Sequence, residues 1–367
     1  MPSYGHASRV RGLDGLRAIA VIGVLIYHME PHVLPGGFLG VNLFFVLSGY
    51  LIARKSPVSK PYTLRDAGSF YLKRIRRIYP ALVLTVLLSC FAARFIAPHA
   101  LYGVRSEVLS IIGGYNNWWQ IAKNESYFAK IGTASLFTHM WSLAIELQFY
   151  LIWPVLLLII RALERKRHAA IPVLLILAAL SAVEAAVMYT PHQDPTRVYY
   201  GTDTRISAML AGCALGLFSQ RYRIKASRRG RVINSFAFCG LLALVVWMYF
   251  MADGMHGSTY CAYMPLFTAV SVLLIALCAD GDEPFGRILD FKPLALIGRY
   301  SYEIYLIQFP AILLVRRLRL SRSMVVCDII ILAVVAVVAA WMKPAAEMIA
   351  GSRGSKSSDK AIFGVRE

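Results

Sequence analysis

Apolar residues run through this chain in stretches of about 20, the length an α-helix needs to cross the hydrocarbon core of a bilayer. Such stretches fall near 16–33, 37–54, 78–98, 141–162, 169–190, 204–220, 232–252, 260–280, 296–315 and 324–347. They predict an all-α fold: a polytopic transmembrane bundle of about ten spans. One further stretch, 101–122, is left over. Several spans contain Pro, Gly or a polar residue, which neighbouring helices make tolerable by satisfying the freed backbone groups. No linker, low-complexity tract or repeat divides the chain. The pattern therefore predicts one transmembrane domain over 1–350, a basic cytoplasmic tail over 351–367, and no appended soluble domain.

Charge orients the spans, because loops rich in Lys and Arg stay in the cytoplasm. Segment 54–77 carries Arg54, Lys55, Lys60, Arg65, Lys73, Arg74, Arg76 and Arg77. Segment 161–167 adds Arg161, Arg165, Lys166 and Arg167, and segment 221–231 adds Arg221, Arg223, Lys225, Arg228, Arg229 and Arg231. The tail holds Arg353, Lys356, Lys360 and Arg366. All four groups share one side only if 101–122 does not fully cross, and both termini are then cytoplasmic. One loop objects: Arg316, Arg317, Arg319 and Arg322 would lie outside.

Composition agrees with the pattern. Hydrophobic residues make up 58% of the 367 and charged residues only 16%, against about 25% charged in soluble domains. The formal charge of +19 is explained by basic loops meeting anionic lipid headgroups, without a nucleic-acid partner. Six cysteines (Cys90, Cys213, Cys239, Cys261, Cys278 and Cys327) are scattered through apolar stretches, without the spacing of a metal site or redox pair. They read as buried free thiols, with no disulfide framework and no metal. Arg9, Arg11 and Arg17 precede the first apolar run, but no small-x-small cleavage site follows it, so the first span is retained.

Polar groups inside hydrocarbon are costly and usually mark a site or pathway. In the first span, Arg17 and His28 are eleven residues apart, which places them only about 20° apart around the helix and roughly 16 Å apart along it. Asp14 lies one turn below Arg17. Snorkelling and interfacial hydrogen bonding are the bland alternative for the pair. In the second span, Gly40 and Ser48-Gly49 are small enough for close helix approach, and Ser48 is also a candidate substrate contact. Arg74 and Arg77 share a face and either clamp an anion or set topology. Ser142, Glu146 and Tyr150 form one stripe, with His139 or an acceptor sugar as candidate partner for the glutamate. Ser301, Tyr305 and Gln308 form another. Together these sites argue for a polar cavity within the membrane.

The residues that carry these features match a known family in order from 12 to 310. They are Gly12-Leu13-Asp14-Gly15-Leu16-Arg17-Ala18 through His28, and Gly40-Val41-Asn42 through Leu47-Ser48-Gly49-Tyr50. Arg74-x-x-Arg77 with Pro80 follows, then His139-x-Trp141-Ser142-Leu143 through Phe149-Tyr150, Thr204-Arg205, and Ser301-Tyr302 through Pro310. The chain resembles the membrane-bound acyltransferase-3 family, which O-acylates bacterial surface and exported glycans. That resemblance implies about ten helices, with Arg17 and His28 as the catalytic pair and Arg74 and Arg77 facing the cytoplasmic acyl donor. Three positions depart from the family: Asn42 where Asp is usual, Leu147 where a second Glu often follows, and Gln308 where His is common. Longer relatives carry an extra soluble hydrolase-like domain after the last helix.

The expected activity is transfer of a short acyl group, acetyl first among them, from acyl-CoA to a hydroxyl of an exopolysaccharide, a lipopolysaccharide O-antigen or a related glycan. Such transfer needs a base for the hydroxyl and donors for the oxyanion. His28 is the expected base, and Arg17 orients the thioester. Arg74 and Arg77 bind donor phosphates, and Glu146 with Tyr150 positions the acceptor or His28. No serine or cysteine lies in a nucleophile elbow, so direct transfer is expected over an acyl-enzyme. The expected partners are acyl-CoA, a lipid-linked or exported saccharide and membrane lipids, in a bacterial inner membrane, with no tightly bound cofactor. The competing readings are a non-enzymatic transporter or scaffold for polysaccharide assembly, and an acyltransferase acting on a small molecule.

Overall fold

The computed structural model describes residues 12–56, 58, 62–128, 135–167, 169–222, 228–279 and 284–351, and these are all-helical, with no strand among them. Arg9, Arg11, Lys60, Arg223, Lys225 and the four cations of the tail lie outside the described residues, as do the side chains of Arg165, Lys166, Arg167, Arg228, Arg229 and Arg231. The chain begins with α1 (Leu13–Met29), α2 (Gly40–Arg54), α3 (Leu64–Ile96), α4 (Val104–Ile112), α5 (Asn116–Lys123) and α6 (Trp141–Arg167). It continues through α7 (Ala170–Met188), α8 (Thr196–Tyr200), α9 (Thr202–Arg205), α10 (Ser207–Arg221) and α11 (Arg228–Met251). The last are α12 (Met264–Ala279), α13 (Pro284–Leu289), α14 (Lys292–Arg299), α15 (Ser301–Leu318) and α16 (Met324–Ile349).

Seven helical stretches among the described residues are long and apolar enough to cross a membrane: Gly37–Arg54, Leu64–Ile96, Thr138–Glu164, Ala170–Met188, Val232–Met251, Thr259–Ala279 and Met324–Ile349. Their outward faces carry bare apolar side chains such as Phe91, Val187 and Val337, as a lipid-facing surface requires. The other three expected spans correspond to α1, α10 and α15, which have 17, 15 and 18 residues.

Several boundaries differ from expectation, each for a local reason. The first span ends at Met29, not 33, because Glu30 precedes Pro31 and leaves the helical region at φ −138°. The third helix begins at Leu64, not 78: the Thr63 side chain caps the Asp66 N–H and Asp66 accepts from the Thr63 N–H, so the basic stretch is helical. Stretch 296–315 is broken at Tyr300 into α14 and α15. The leftover stretch 101–122 contains helices of nine and eight residues, interrupted at Gly113-Gly114, and neither can cross a bilayer. Two of the cysteines expected to be buried, Cys239 and Cys261, are exposed on the bundle surface, while Cys213 and Cys278 are buried.

Small residues hold the centre together. A Cβ on Gly49 would lie 2.0 Å from the Met209 carbonyl oxygen, and one on Gly212 would lie 2.1 Å from that of Val46. α2 and α10 therefore meet backbone to backbone along this seam. Gly40 admits the Ala20 carbonyl of α1 in the same way.

The two ends of the bundle differ in charge. At one end, Arg17, Arg74 and Arg77 meet, Gln220 donates to the Ala53 carbonyl at 2.6 Å, and Arg221 lies 3.7 Å from Glu164. The start of α1, the ends of α2, α6 and α10, and the basic start of α3 thus share one end. Lys343 on the last helix bonds the Arg299 carbonyl at this level too. At the opposite end, Arg316 bonds the Met29 carbonyl, Glu30 at 2.8 Å and Asp328 at 3.6 Å. Local acids therefore engage this arginine of the loop.

Candidate active site

A cavity of about 90 Å³ opens at the basic end between α1, α2, α3, α6 and α15. Its polar wall is Arg17 from α1, Ser48 from α2, Arg74 and Arg77 from α3, Ser142, Glu146 and Tyr150 from α6, and Ser301, Tyr302 and Tyr305 from α15. Val41, Phe44, Phe45, Leu47, Leu51 and Leu143 supply the apolar part. The stripe Ser142, Glu146 and Tyr150 faces this one space whole, whereas Ser301 and Tyr305 face it without Gln308, and Arg17 without His28.

The wall is cationic. Arg17 pairs with Asp14 at 2.8 Å. Arg74 lies over the Tyr150 ring at 4.7 Å and the Phe70 ring at 5.3 Å. Arg77 makes no hydrogen bond or ion pair among the described residues. Lys55, at the rim, is held below the usual lysine range by burial and by the nearby Arg77, Arg74, Arg17 and Arg54. The carboxylates nearby are Asp14, already paired, Glu303, buried on α15 outside the cavity wall but within electrostatic range of Arg77, and Glu146. Glu146 accepts from Ser48 at 2.6 Å and from the Tyr150 hydroxyl. It does not bond His139, whose Nε2 donates instead to the Leu306 carbonyl at 3.0 Å. The balance favours an anion at the arginines.

His28 is elsewhere. It is 2% exposed, so it points inward, but it is absent from the cavity wall and lies about 16 Å further along α1 than Arg17. The expectation that both side chains open into one hollow is therefore corrected: Arg17 lines the cavity, and His28 lies in a closed aromatic layer beyond it. The imidazole packs edge-on against Phe309 at 5.0 Å, and its Nε2 is 2.9 Å from the Tyr127 hydroxyl. Two routes of contact join the levels. Rings lead from Phe45 through Trp141 to Tyr127, with centroids 6.2 and 6.0 Å apart. Polar groups lead from Ser142, which donates to the Tyr305 oxygen at 2.6 Å, through the Tyr305 hydroxyl, which donates to the His139 carbonyl at 2.7 Å. The His139 ring then stacks on Phe309 at 5.3 Å.

The family model described as an acyltransferase domain matches residues 10–343. The chain belongs to the acyltransferase-3 family. This acyltransferase-3 chain is 37% identical to YrhL of Bacillus subtilis over 314 residues, covering 84% of this chain and 49% of that protein. It is 36% identical over 318 residues to the peptidoglycan O-acetyltransferase OatA of Listeria monocytogenes, covering 83% of this chain and 50% of the relative. To the O-acetyltransferase OatA of Staphylococcus aureus it is 32% identical over 308 residues, covering 83% and 51%. The chain thus spans about half the length of the curated relatives it matches. No solved structure matches it.

The three departures of this acyltransferase-3 chain fall outside the cavity wall. Leu147 packs toward Gly114, so a charge missing there leaves the cavity untouched. Asn42 accepts from the buried Arg205 at 2.7 Å. Gln308 is fully buried, close enough to interact with the His28 ring but without a well-formed hydrogen bond on either amide atom among the described residues. Sequence reasoning missed Tyr127 and gave Lys55 only a topological role. Tyr127 is a lone tyrosine in a polar connection and carries no spacing signal. Lys55 gains its electrostatic setting only when α1 and α3 are folded against the end of α2.

Proposed function

We propose that this acyltransferase moves a short acyl group, acetyl foremost, from acyl-CoA to a hydroxyl of a bacterial cell-surface glycan. The single observation that carries the reading is the cavity itself, with Arg17, Arg74 and Arg77 at one level and His28 about 16 Å beyond along the same first helix. Donor phosphates would sit on the arginines, and an extended thioester arm would rise past Phe45 and Tyr305 toward His28. Parting the Ser142–Tyr305 contact opens that way. His28 acts as general base, and Arg17 holds the amide-rich arm of the donor.

The names of the relatives, peptidoglycan O-acetyltransferase among them, favour a cell-wall glycan over an exopolysaccharide or O-antigen as acceptor. In this reading α1, α10 and α15 join the seven long apolar stretches as spans, giving ten, in the bacterial inner membrane. The basic end and both ends of the chain face the cytoplasm, and the saccharide arrives at the opposite end.

The test is mass spectrometry of cell-wall and exported glycans, with and without the protein and with His28→Ala. Ester-linked acetyl that disappears in both the deletion and the folded variant is expected. Unchanged glycan esters in the deletion would return the chain to the transporter or scaffold class.

A further inference from the structure

Resting on that reading, we infer that Tyr127 is a positioning residue that occupies Nε2 of His28, so that Nδ1 is the nitrogen that takes the proton from an acceptor hydroxyl that Gln308 also holds. The two sides of the imidazole are unlike. On one side, Nε2 is 2.9 Å from the Tyr127 hydroxyl. The Tyr127 ring is stacked between Tyr199 at 4.7 Å and Tyr27 at 5.9 Å, so its oxygen has a set place. On the other side, Nδ1 is buried without a partner among the described residues, and so are both amide atoms of Gln308. Gln308, fully buried, is close enough to interact with this imidazole. Unpaired polar atoms gathered in an apolar layer are expensive unless a ligand completes them. An alcohol supplies what is missing: its O–H donates to Nδ1, and its oxygen accepts from the Gln308 amide.

The assignment sets the proton inventory. It requires the tautomer in which Nε2–H donates to the Tyr127 oxygen, one of the two directions that a hydroxyl at 2.9 Å permits. Nδ1 removes the hydroxyl proton as the oxygen bonds to the thioester carbonyl carbon. The C–S bond then breaks, and the leaving thiolate recovers the proton from Nδ1. Tyr127 thus occupies one ring nitrogen and holds the ring, which leaves the other nitrogen to face the acceptor. Were Nε2 the base instead, the alcohol would have to displace the Tyr127 hydroxyl, and removing that hydroxyl would open the site.

The experiment uses membranes bearing the full chain, acetyl-CoA with a labelled acetyl group, and base-labile label in glycan as readout. Tyr127→Phe keeps the stacked ring and removes only the oxygen. We expect its saturated rate to fall about 10²-fold with KM for acetyl-CoA within about twofold of the parent. Gln308→Ala should lose about tenfold in the same rate, and Gln308→His, which keeps a donor, should recover most of it. A parental rate in Tyr127→Phe, or a loss that appears in KM alone, overturns the tautomer assignment while leaving the acyltransferase reading intact. A parental rate in His28→Ala overturns the reading beneath it.

Discussion

Arg205 offers a direct measure of how much one missing negative charge matters. The guanidinium is 4% exposed, bracketed by Tyr199 at 4.9 Å and Trp141 at 5.5 Å. Its Nη2 donates to Asn42 Oδ1 at 2.7 Å, Nη1 is directed at the Met264 sulfur, and Nε has no partner among the described residues. Asn42→Asp would place a carboxylate where the amide oxygen already sits. At an effective dielectric of about 20, opposite charges 4 Å apart attract by about 4 kcal/mol. Burying a carboxylate in place of an amide that is already buried takes back about 1–3 kcal/mol, leaving a net gain of about 1–3 kcal/mol. Asn42→Leu removes the acceptor and strands the cation, for a loss of about 2–4 kcal/mol. Thermal unfolding of the detergent-purified protein, followed by intrinsic fluorescence, reads both. The midpoint should rise by a few degrees in the first variant and fall in the second. A lower midpoint for Asn42→Asp would mean that the two aromatic faces already compensate the guanidinium, and the electrostatic account of this layer would be wrong.

Three further outcomes follow from the geometry. Arg74→Lys keeps the charge but loses the planar stack on Tyr150, so KM for acyl-CoA should rise about tenfold with little change in kcat, as steady-state kinetics would show. Gly49→Val drives a branched side chain into the Met209 carbonyl, and the folded fraction recovered by size-exclusion chromatography in detergent should collapse, with a destabilisation of about 3 kcal/mol or more. Burial in α4 raises the Glu107 carboxyl from 4.5 to about 7, against the opposing bond from Ser135 and with help from Glu125. Because the folded state holds this proton more tightly than the unfolded state, stability should fall as pH rises from about 4.5 to about 7 and level off above. Glu107→Gln should flatten that slope, adding on the order of 3 kcal/mol at pH 8, in thermal scans across pH.

Much of this architecture is legible in the residue pattern because hydrocarbon imposes simple rules. A run of apolar residues must be a helix there, and its polar members must turn inward, which is why Ser48 on α2, Arg74 on α3 and Glu146 with Tyr150 on α6 are legible helix by helix. Local chemistry set boundaries that hydropathy cannot register: Pro31 shortens α1, and the Thr63–Asp66 cap pulls the basic stretch into α3. Helical phase also proved an incomplete guide. Arg17 and His28 do share a side of α1, but whether a residue meets a cavity depends on depth as well as azimuth. Depth is set by Phe309, Tyr305 and Trp141, which arrive from distant parts of the chain. Glu146 illustrates the same point, since its partners Ser48 and Tyr150 were identifiable separately, whereas the choice of Ser48 over His139 depended on how α2 meets α6.

The α2–α10 seam has an evolutionary corollary. Ser48 hangs one residue before Gly49, and that glycine is held by main-chain atoms of its neighbour instead of by interlocking side chains. The hydroxyl that steadies Glu146 is thus hung from a scaffold that does not depend on the identity of any bulky residue. Mutational drift over the lipid-facing skin of the bundle can proceed without disturbing that anchor, whereas one added methyl group at the seam would move it.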